Sequence, residues 1–248
     1  MDLGLSGRRA VVAASSSGLG FAAARVLAAE GARVAICGRD PHRLALALEQ
    51  LPPDAVALPS DVSTARGAAN FVEEAAATLG GVDILVPNAG GPPPGGFAAT
   101  DLEAYRPALE ENLLATVAMC QAVVPGMCEQ GWGRVVAITS ATVRQPAPTM
   151  ILSNTARAGV TGFLKTLAGE VAGQGVTVNS VQPGSHATDR LRQLHGGDLA
   201  GAAARVPAGQ VGRPEDFGAV VAFLCSDAAR FVTGAALPVD GGASQGLQ

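Results

Sequence analysis

Lysine and tyrosine are nearly absent from this sequence. Among its 248 residues, Lys165 is the one lysine in a total of 17 lysine and arginine residues, and Tyr105 is the one tyrosine. Charged residues make up only 15%, and the formal net charge is −4. A chain without a basic run lacks the electrostatic footprint of a protein that binds nucleic acid or an anionic membrane, so neither partner is expected.

Cysteines and long apolar runs are also scarce. Cys37, Cys120, Cys128 and Cys225 show neither a C-x-x-C pair nor the spacing of a zinc site, which predicts no metal and a reducing environment. No apolar run approaches the roughly 20 residues that span a bilayer. The first nine residues lack the apolar core of a signal peptide, so we expect a cytoplasmic protein.

Apolar residues are abundant, at 48%, and occur in short runs that alternate with helix-like segments. Strand-like runs begin at residue 10 and occupy residues 33–38, 55–58, 82–86, 134–139, 176–181 and 236–239; helix-like segments cover about residues 21–30, 41–51, 64–79, 102–128, 154–172 and 214–224. A polar, Ala/Gly-rich segment lies at residues 188–210. This alternation is typical of parallel βαβ units. It predicts one α/β domain over residues 1–248, a doubly wound Rossmann fold with about seven parallel strands and helices on both faces.

Small and polar residues follow the predicted strands at their carboxyl ends. Ligands of doubly wound sheets bind beyond these ends, so the segments are expected to converge on one crevice. They are residues 14–20, Gly38-Arg39, Asp61, Asn88-Ala89-Gly90, Thr139-Ser140 and Gln182-Pro183-Gly184.

The first of these turns has the chemistry of a phosphate site. Gly18-Leu19-Gly20 opens a helix directly after a strand, and backbone N–H groups at a helix N-terminus suit a phosphate. The first glycine of a G-x-G-x-x-G pattern is missing, and a tight turn without a ligand would use the same residues. Both interpretations stay open on this motif alone.

Several motifs in a fixed order resemble the short-chain dehydrogenase/reductase family, and most of all its 3-oxoacyl-acyl-carrier-protein reductases. The resemblance covers about residues 5–242. The most specific motifs are Asp61-Val62, Asn88-Ala89-Gly90, Asn112, Pro183-Gly184, Gly212-Arg213-Pro214-Glu215-Asp216 and Val239-Asp240-Gly241-Gly242.

The resemblance implies which residues bind a dinucleotide. The implied contacts are Ser16, Ser17, Gly18, Leu19 and Gly20 at the pyrophosphate, Asp61 and Val62 at the adenine, Asn88, Ala89 and Gly90 at the ribose and crevice floor, and Pro183, Gly184, His186 and Thr188 around the nicotinamide. The family's Thr-Gly before the turn is Ala13-Ala14 here, and alanine tolerates a positive φ less well than glycine.

The end of the second strand bears on the choice between NADP(H) and NAD(H). An acidic residue there would bind both ribose hydroxyls and repel a 2′-phosphate, but this chain has Gly38-Arg39. Arg39 suits a charge-assisted contact to phosphate, which favours NADP(H). In the alternative, Arg39 only extends into solvent and Asp40 caps the next helix.

The catalytic segment departs from the family pattern. That pattern has an asparagine, a serine, a tyrosine thirteen residues later and a lysine four further on; Asn112 and Ser140 match, but the last two positions hold Ser153 and Arg157. A serine hydroxyl is a far weaker acid than a phenol. Arg157 offers positive charge to a ribose or a developing alkoxide, but it is no proton donor near neutral pH.

Three further residues are candidates for compensating roles. His186 falls near the implied nicotinamide position and titrates in the range of a general acid, although an exposed histidine turned away from the site is an alternative. Arg144 and Gln145 follow Ser140 in the loop that faces substrate in the family. Arg144 would hold a carboxylate or phosphate of the substrate, or would only be solvated.

Two functions fit these residues. The first is an NADP(H)-dependent short-chain reductase of a 3-oxoacyl-thioester-like or similar carbonyl, or of the matching alcohol, with a non-standard proton donor. The second is a dinucleotide-binding sensor or partner subunit with little activity. The resemblance also implies a homotetramer that pairs through the helices at about residues 102–128 and 154–172.

Overall fold

A seven-stranded sheet with parallel neighbours organises the protein, whose computed structural model describes residues 2–246. The strands are β1 (Arg9–Val12), β2 (Arg33–Gly38), β3 (Val56–Pro59), β4 (Ile84–Val86), β5 (Gly133–Ile138), β6 (Val176–Pro183) and β7 (Ala236–Val239). Their spatial order is β3-β2-β1-β4-β5-β6-β7. Strands β1 to β3 therefore follow one another toward one edge of the sheet, and β4 to β7 follow one another toward the other edge, so the strand order reverses between β1 and β4. The predicted Rossmann topology is confirmed, and such a reversal is where these sheets bind ligands.

Helices cover both faces of this sheet. They are α1 (Gly18–Ala29), α2 (Pro41–Leu48), α3 (Ala65–Leu79), α4 (Leu102–Leu109), α5 (Ala115–Glu129), α6 (Ile151–Val171), α7 (Asp189–Leu194), α8 (Leu199–Ala203) and α9 (Pro214–Cys225). Successive side chains of a strand point to opposite faces. Val11 of β1 therefore joins a core with α3, α5 and α6, whereas Ala10 and Val12 join one with α1 and α9. Burial on both faces explains why the strands are apolar throughout.

The long helix predicted over residues 102–128 is interrupted. Between α4 and α5 the backbone widens into a π-helical turn at Glu110–Leu114. Pro107 lies inside α4 and supplies no N–H to the regular helical ladder. Single π turns of this kind recur at functional sites. This one carries Glu111 and Asn112, and apolar periodicity gives no sign of it.

Two helices begin earlier than predicted, and two more lie in the polar segment. α1 begins at Gly18, and α6 begins at Ile151, which places Ser153 in its first turn. The segment at residues 188–210 contains α7 and α8. Their N-caps, Thr188 and Asp198, accept hydrogen bonds from backbone N–H groups of the first turn. Such caps start helices even where apolar periodicity is weak.

No helix among residues 2–246 is long and apolar enough to cross a membrane. The same residues include no group of three or more His, Cys, Asp or Glu side chains that is placed to hold a metal ion. Cys37, Cys120 and Cys225 are free and buried, and burial raises the pKa of each thiol to about 12.

Candidate active site

A crevice at the carboxyl edge of the sheet brings most of the predicted site residues together. Its main cavity has a volume of about 370 Å³ and adjoins a recess of about 250 Å³. The predicted residues that line the cavity are Ser17, Gly18, Leu19, Asn88, Ala89, Gly90, Ser140, Ser153, Arg157, Pro183, Gly184, His186 and Thr188. The predicted residues that line the recess are Ser16, Ser17, Arg39, Asp61, Val62 and Gly90, and acidic Asp40 and Glu111 line it too. Gly20, Asn112, Arg144 and Gln145 line neither.

The turn between β1 and α1 is held by the amide side chain of Asn88, which lies just after β4, the neighbour of β1 in the sheet. Nδ2 of Asn88 donates to the carbonyl oxygens of Ala13, at 3.3 Å, and Ala14, at 3.1 Å. Ala14 has a φ of 45°, in the left-handed region that disfavours alanine. A Cβ at Gly20 would lie 2.7 Å from the same Nδ2, so only glycine fits there. Gly20 therefore shapes the turn rather than lining the cavity.

The N-terminus of α1 lacks a side-chain cap. Ser17 is its N-cap residue, but the Ser17 Oγ accepts a hydrogen bond from Nη2 of Arg43 at 2.9 Å and caps no N–H group. By contrast, Asp40 and Thr64 cap α2 and α3 with their side chains. The first-turn N–H groups of α1 and the positive end of its dipole therefore face the crevice. This geometry fits the pyrophosphate of a dinucleotide.

Two arginines border the recess. Arg39 and Arg43 are both exposed and line it together with Ser16 and Ser17. Oδ1 of Asp40 accepts hydrogen bonds from the N–H groups of His42 and Arg43, so this carboxylate caps α2. Sequence analysis missed Arg43, although its position four residues after Arg39 and within the first turn of α2 was a usable signal.

Arg157 is buried at the end of β5. Only 8% of the residue is exposed, and its Nη1 donates to the carbonyl oxygens of Ile138, at 3.1 Å, and Thr139, at 2.7 Å. Burial lowers its pKa to about 10, while the nearby Glu111 carboxylate opposes that shift. The guanidinium therefore keeps its positive charge at neutral pH beside the cavity that it lines.

Two serine hydroxyls line the cavity near this charge. Ser140 Oγ lies 2.9 Å from Thr142 Oγ1 and accepts the N–H of Thr142 at 3.1 Å. Ser153 is 4% exposed and reaches the cavity from the first turn of α6. Hydroxyls donate and accept hydrogen bonds, so this pair suits a carbonyl oxygen or an ordered water.

The π turn places Asn112 and Glu111 differently. Asn112 is 4% exposed and lies outside the cavity lining; its Nδ2 donates to the Ala108 carbonyl at 3.3 Å, and its Oδ1 has no partner among the described residues. Glu111 lines the recess, and a Cβ at Gly90 would lie 2.9 Å from its Oε1. Burial raises the pKa of Glu111, and the charges of Arg39 and Arg157 oppose that rise. Sequence analysis did not identify Glu111 as a site residue, because it belongs to no recognisable motif.

His186 lines the cavity but is held by its surroundings. It is 5% exposed, so the alternative of an exposed loop histidine is wrong. Its ring meets Phe217 edge to face at 5.1 Å, and Nδ1 lies 3.2 Å from the carbonyl oxygen of Gly184. Burial lowers its pKa, which keeps the imidazole neutral at physiological pH. A neutral imidazole with a lowered pKa is poorly suited to protonate an alkoxide.

Arg144 and Gln145 do not lie where a substrate role would put them. Arg144 donates through Nε to Gln182 Oε1 at 2.9 Å and through Nη2 to the Ala236 carbonyl at 2.7 Å. Gln145 Oε1 accepts the N–H of Gln245 at 2.9 Å. These bonds tie the loop to β6, β7 and the C-terminal segment. Besides Arg157, the cavity is lined by Arg190 of α7, which sequence analysis missed.

Known proteins resemble this chain over nearly its whole length. The family described as enoyl-(acyl carrier protein) reductase matches residues 13–244. The 3-oxoacyl-[acyl-carrier-protein] reductase FabG of Escherichia coli (strain K12) is 34% identical over 240 residues, covering 97% of this chain and 98% of that protein. Acetoacetyl-CoA reductase of Cupriavidus necator is 33% identical over 243 residues, covering 96% and 99%. The crystal structure of L-sorbose reductase from Gluconobacter frateurii, complexed with NADPH and L-sorbose, has a TM-score of 0.92 and 33% identity and covers both chains fully.

The strained alanine in the β1–α1 turn gives a stability test. A residue other than glycine in the left-handed region destabilises the fold by ~1–2 kcal/mol, and replacing it with glycine removes this strain. Glycine loses more chain entropy on folding than alanine, which offsets ~0.5–1 kcal/mol of that improvement. Ala14→Gly should therefore raise the free energy of unfolding in urea by ~0.5–1 kcal/mol. Ala13→Gly is the matched control, because Ala13 is fully buried and has no positive φ, and it should lower stability. Equal losses in both variants would contradict the assignment of strain to Ala14.

Proposed function

The chain belongs to the short-chain dehydrogenase/reductase family, and from this premise we propose that it reduces a carbonyl compound with NADPH. The relatives and structural neighbours named above are oxidoreductases of this family. The proposed substrate is a 3-oxoacyl thioester or a similar ketone, and the proposed proton donor differs from the family tyrosine. The observation that carries the proposal is one crevice that joins the uncapped N-terminus of α1 to the cavity of Ser140, Ser153 and Arg157.

The binding half of the crevice supports NADP(H) over NAD(H). The N–H groups at the start of α1 would bind the pyrophosphate, and Asp61 and Val62 would border the adenine. Arg39 and Arg43 would bind the 2′-phosphate, because Oδ1 of Asp40, the first carboxylate after β2, already accepts two backbone N–H groups of α2. The L-sorbose reductase structure contains NADPH, which agrees with this choice.

The reacting half of the crevice would act by position and charge. When bound, the reduced nicotinamide supplies the hydride that converts the carbonyl carbon into an alcohol carbon. Ser140 and Ser153 would hold the carbonyl oxygen or a water molecule that gives it a proton. Arg157 would stabilise the negative charge that develops on this oxygen, from a buried position where such an interaction is strong. Asn112, which does not line the cavity, would stabilise the π turn through its hydrogen bond to the Ala108 carbonyl.

A homotetramer in the cytoplasm remains part of the proposal. Leu102 and Leu114 are exposed on the α4–α5 helix pair. Ala158 and Gly159 are exposed on α6, where small side chains permit close helix packing. These two surfaces are the ones expected to pair, and closed symmetric assemblies are the common outcome of such pairing. Light scattering that gives a monomer mass at micromolar concentration would contradict it.

Cofactor preference gives the first test of the proposal. NADPH should bind more tightly than NADH, and Arg39→Asp should weaken NADPH binding by about 10- to 100-fold because a charge-assisted hydrogen bond is lost and a like charge is added. NADH binding should not weaken and is expected to tighten, because the new carboxylate can accept hydrogen bonds from the ribose hydroxyls, so the order of preference should weaken or reverse. Calorimetry measures both constants. Arg205→Asp makes the same change of charge at an exposed position outside both lined regions and serves as the control. Equal or tighter binding of NADH to the unchanged protein would overturn the preference.

Turnover tests the catalytic half. General acid catalysis contributes ~10²–10⁴-fold, so reduction of simple 3-oxoacyl thioesters should be slow without the tyrosine. Ser153→Tyr with Arg157→Lys should raise kcat, because Ser153 borders a cavity with room for a phenol. Thr78→Tyr adds the same phenol at an exposed position of α3, away from the site and from α6, and should change nothing.

The outcomes separate the two functions. If the protein and the double variant bind NADPH but reduce none of a panel of ketones, the reductase proposal fails and a dinucleotide-binding protein remains. If the unchanged protein already turns over at ordinary reductase rates and the double variant gains nothing, another side chain donates the proton. In that case His186→Ala would have to abolish activity.

A further inference from the structure

Arg190 extends across the mouth of the cavity. It belongs to α7, is half-buried, and its Nη2 donates to the carbonyl oxygen of Pro92 at 2.8 Å. A Cβ at Gly91 would lie 3.1 Å from this Nη2 and 3.2 Å from Nε. The guanidinium therefore joins α7 to the loop after β4 and borders the cavity that also holds Ser140 and Ser153.

The cavity lining carries more positive than negative charge, with two arginines and one acidic residue. Arg157 and Arg190 both line it, and they are close enough for each charge to act on the other. The one acidic lining residue, Asp189, is paired with Arg192 at 3.0 Å, and its side chain is 73% exposed. Glu111 lies in the adjoining recess rather than in the cavity lining. Among the described residues, Arg190 forms no ion pair.

The lining near α7 combines polar Thr188 and Asp189 with apolar side chains. Met150, Leu191 and Leu194 border the cavity beside Arg190. These apolar side chains, next to a guanidinium that forms no ion pair among the described residues, match a ligand with an apolar body and one anionic group. Guanidinium binds carboxylate through two parallel hydrogen bonds, and carboxylate is the anion that commonly accompanies a carbonyl in a small molecule.

We propose that Arg190 binds the carboxylate of the substrate, so that the substrate class is an oxo acid with an apolar body. This rests on the reductase proposal for the same site. The role that sequence analysis gave to Arg144 thus falls to a residue of α7. The other source of the same chemistry is a cofactor phosphate. The phosphate-binding start of α1 is close to α7, since a Cβ at Gly18 would lie 4.0 Å from Thr188, whereas the Arg190 guanidinium extends to Pro92. The experiment therefore measures the binding of the cofactor and of the carboxylate separately.

A carboxylate and its ester provide the test. Reduction of benzoylformate and of its methyl ester is followed by NADPH oxidation, and the binding of mandelate and methyl mandelate to the complex with NADP⁺ is measured by calorimetry. Arg190→Gln removes the charge, and Arg190→Lys keeps the charge but lacks the two parallel N–H donors of the guanidinium. Arg205→Gln removes a charge from an exposed position outside the cavity lining and is the matched control. The dissociation constant of NADPH is measured for every variant.

The expected result is a preference for the two carboxylates of at least about tenfold. Arg190→Gln should lower kcat/KM for benzoylformate and weaken mandelate binding by about 10- to 100-fold, with the esters and NADPH changed by less than about threefold. Arg190→Lys should retain part of the preference. The inference is overturned if mandelate binds no better than its ester, or if Arg190→Gln weakens NADPH binding and affects acid and ester equally. Binding of NADPH and mandelate without turnover of any ketone would count against the reductase proposal alone.

Discussion

A buried positive charge, the guanidinium of Arg157, constrains the whole candidate site. An uncompensated buried charge costs several kcal/mol, so the surrounding backbone has to satisfy it. The end of β5 does so with the carbonyls of Ile138 and Thr139, and the π turn brings the Glu111 carboxylate within electrostatic reach. The π turn that interrupts the long helix and the position of α6, which brings Arg157 to the end of β5, thus both contribute to stabilising the Arg157 guanidinium.

This arrangement favours catalysis by charge and position over catalysis by a dedicated acid. Arg157, with a pKa of about 10, stays protonated through the neutral range, burial lowers the pKa of His186, and Ser140 and Ser153 supply hydroxyls without acidic protons. A developing alkoxide beside a desolvated guanidinium is stabilised more strongly than in water. The same positive cavity suits the proposed anionic substrate, since Arg157 and Arg190 otherwise repel each other.

Much of the fold follows from local sequence. β7 lies at the predicted residues 236–239, and the strand-end motifs meet because parallel strands share one carboxyl edge. The parts that escaped prediction depend on contacts between distant segments. The π turn has no signature in apolar spacing, and Glu111 gains its role only from Gly90 and Arg157. Arg190 matters because Pro92 lies across the crevice, and Arg144 is lost to the site because Gln182 and Ala236 bind it.

The rate of hydride transfer as a function of pH tests the central claim most directly. Single-turnover oxidation of bound NADPH by a ketone substrate should be independent of pH between about 5.5 and 8.5. Water supplies the proton in this account, and Arg157, with a pKa of about 10, keeps its charge across that range. A rate that falls as pH rises through an apparent pKa within this window would show that a side chain such as His186 or Glu111 donates the proton, and would contradict the account.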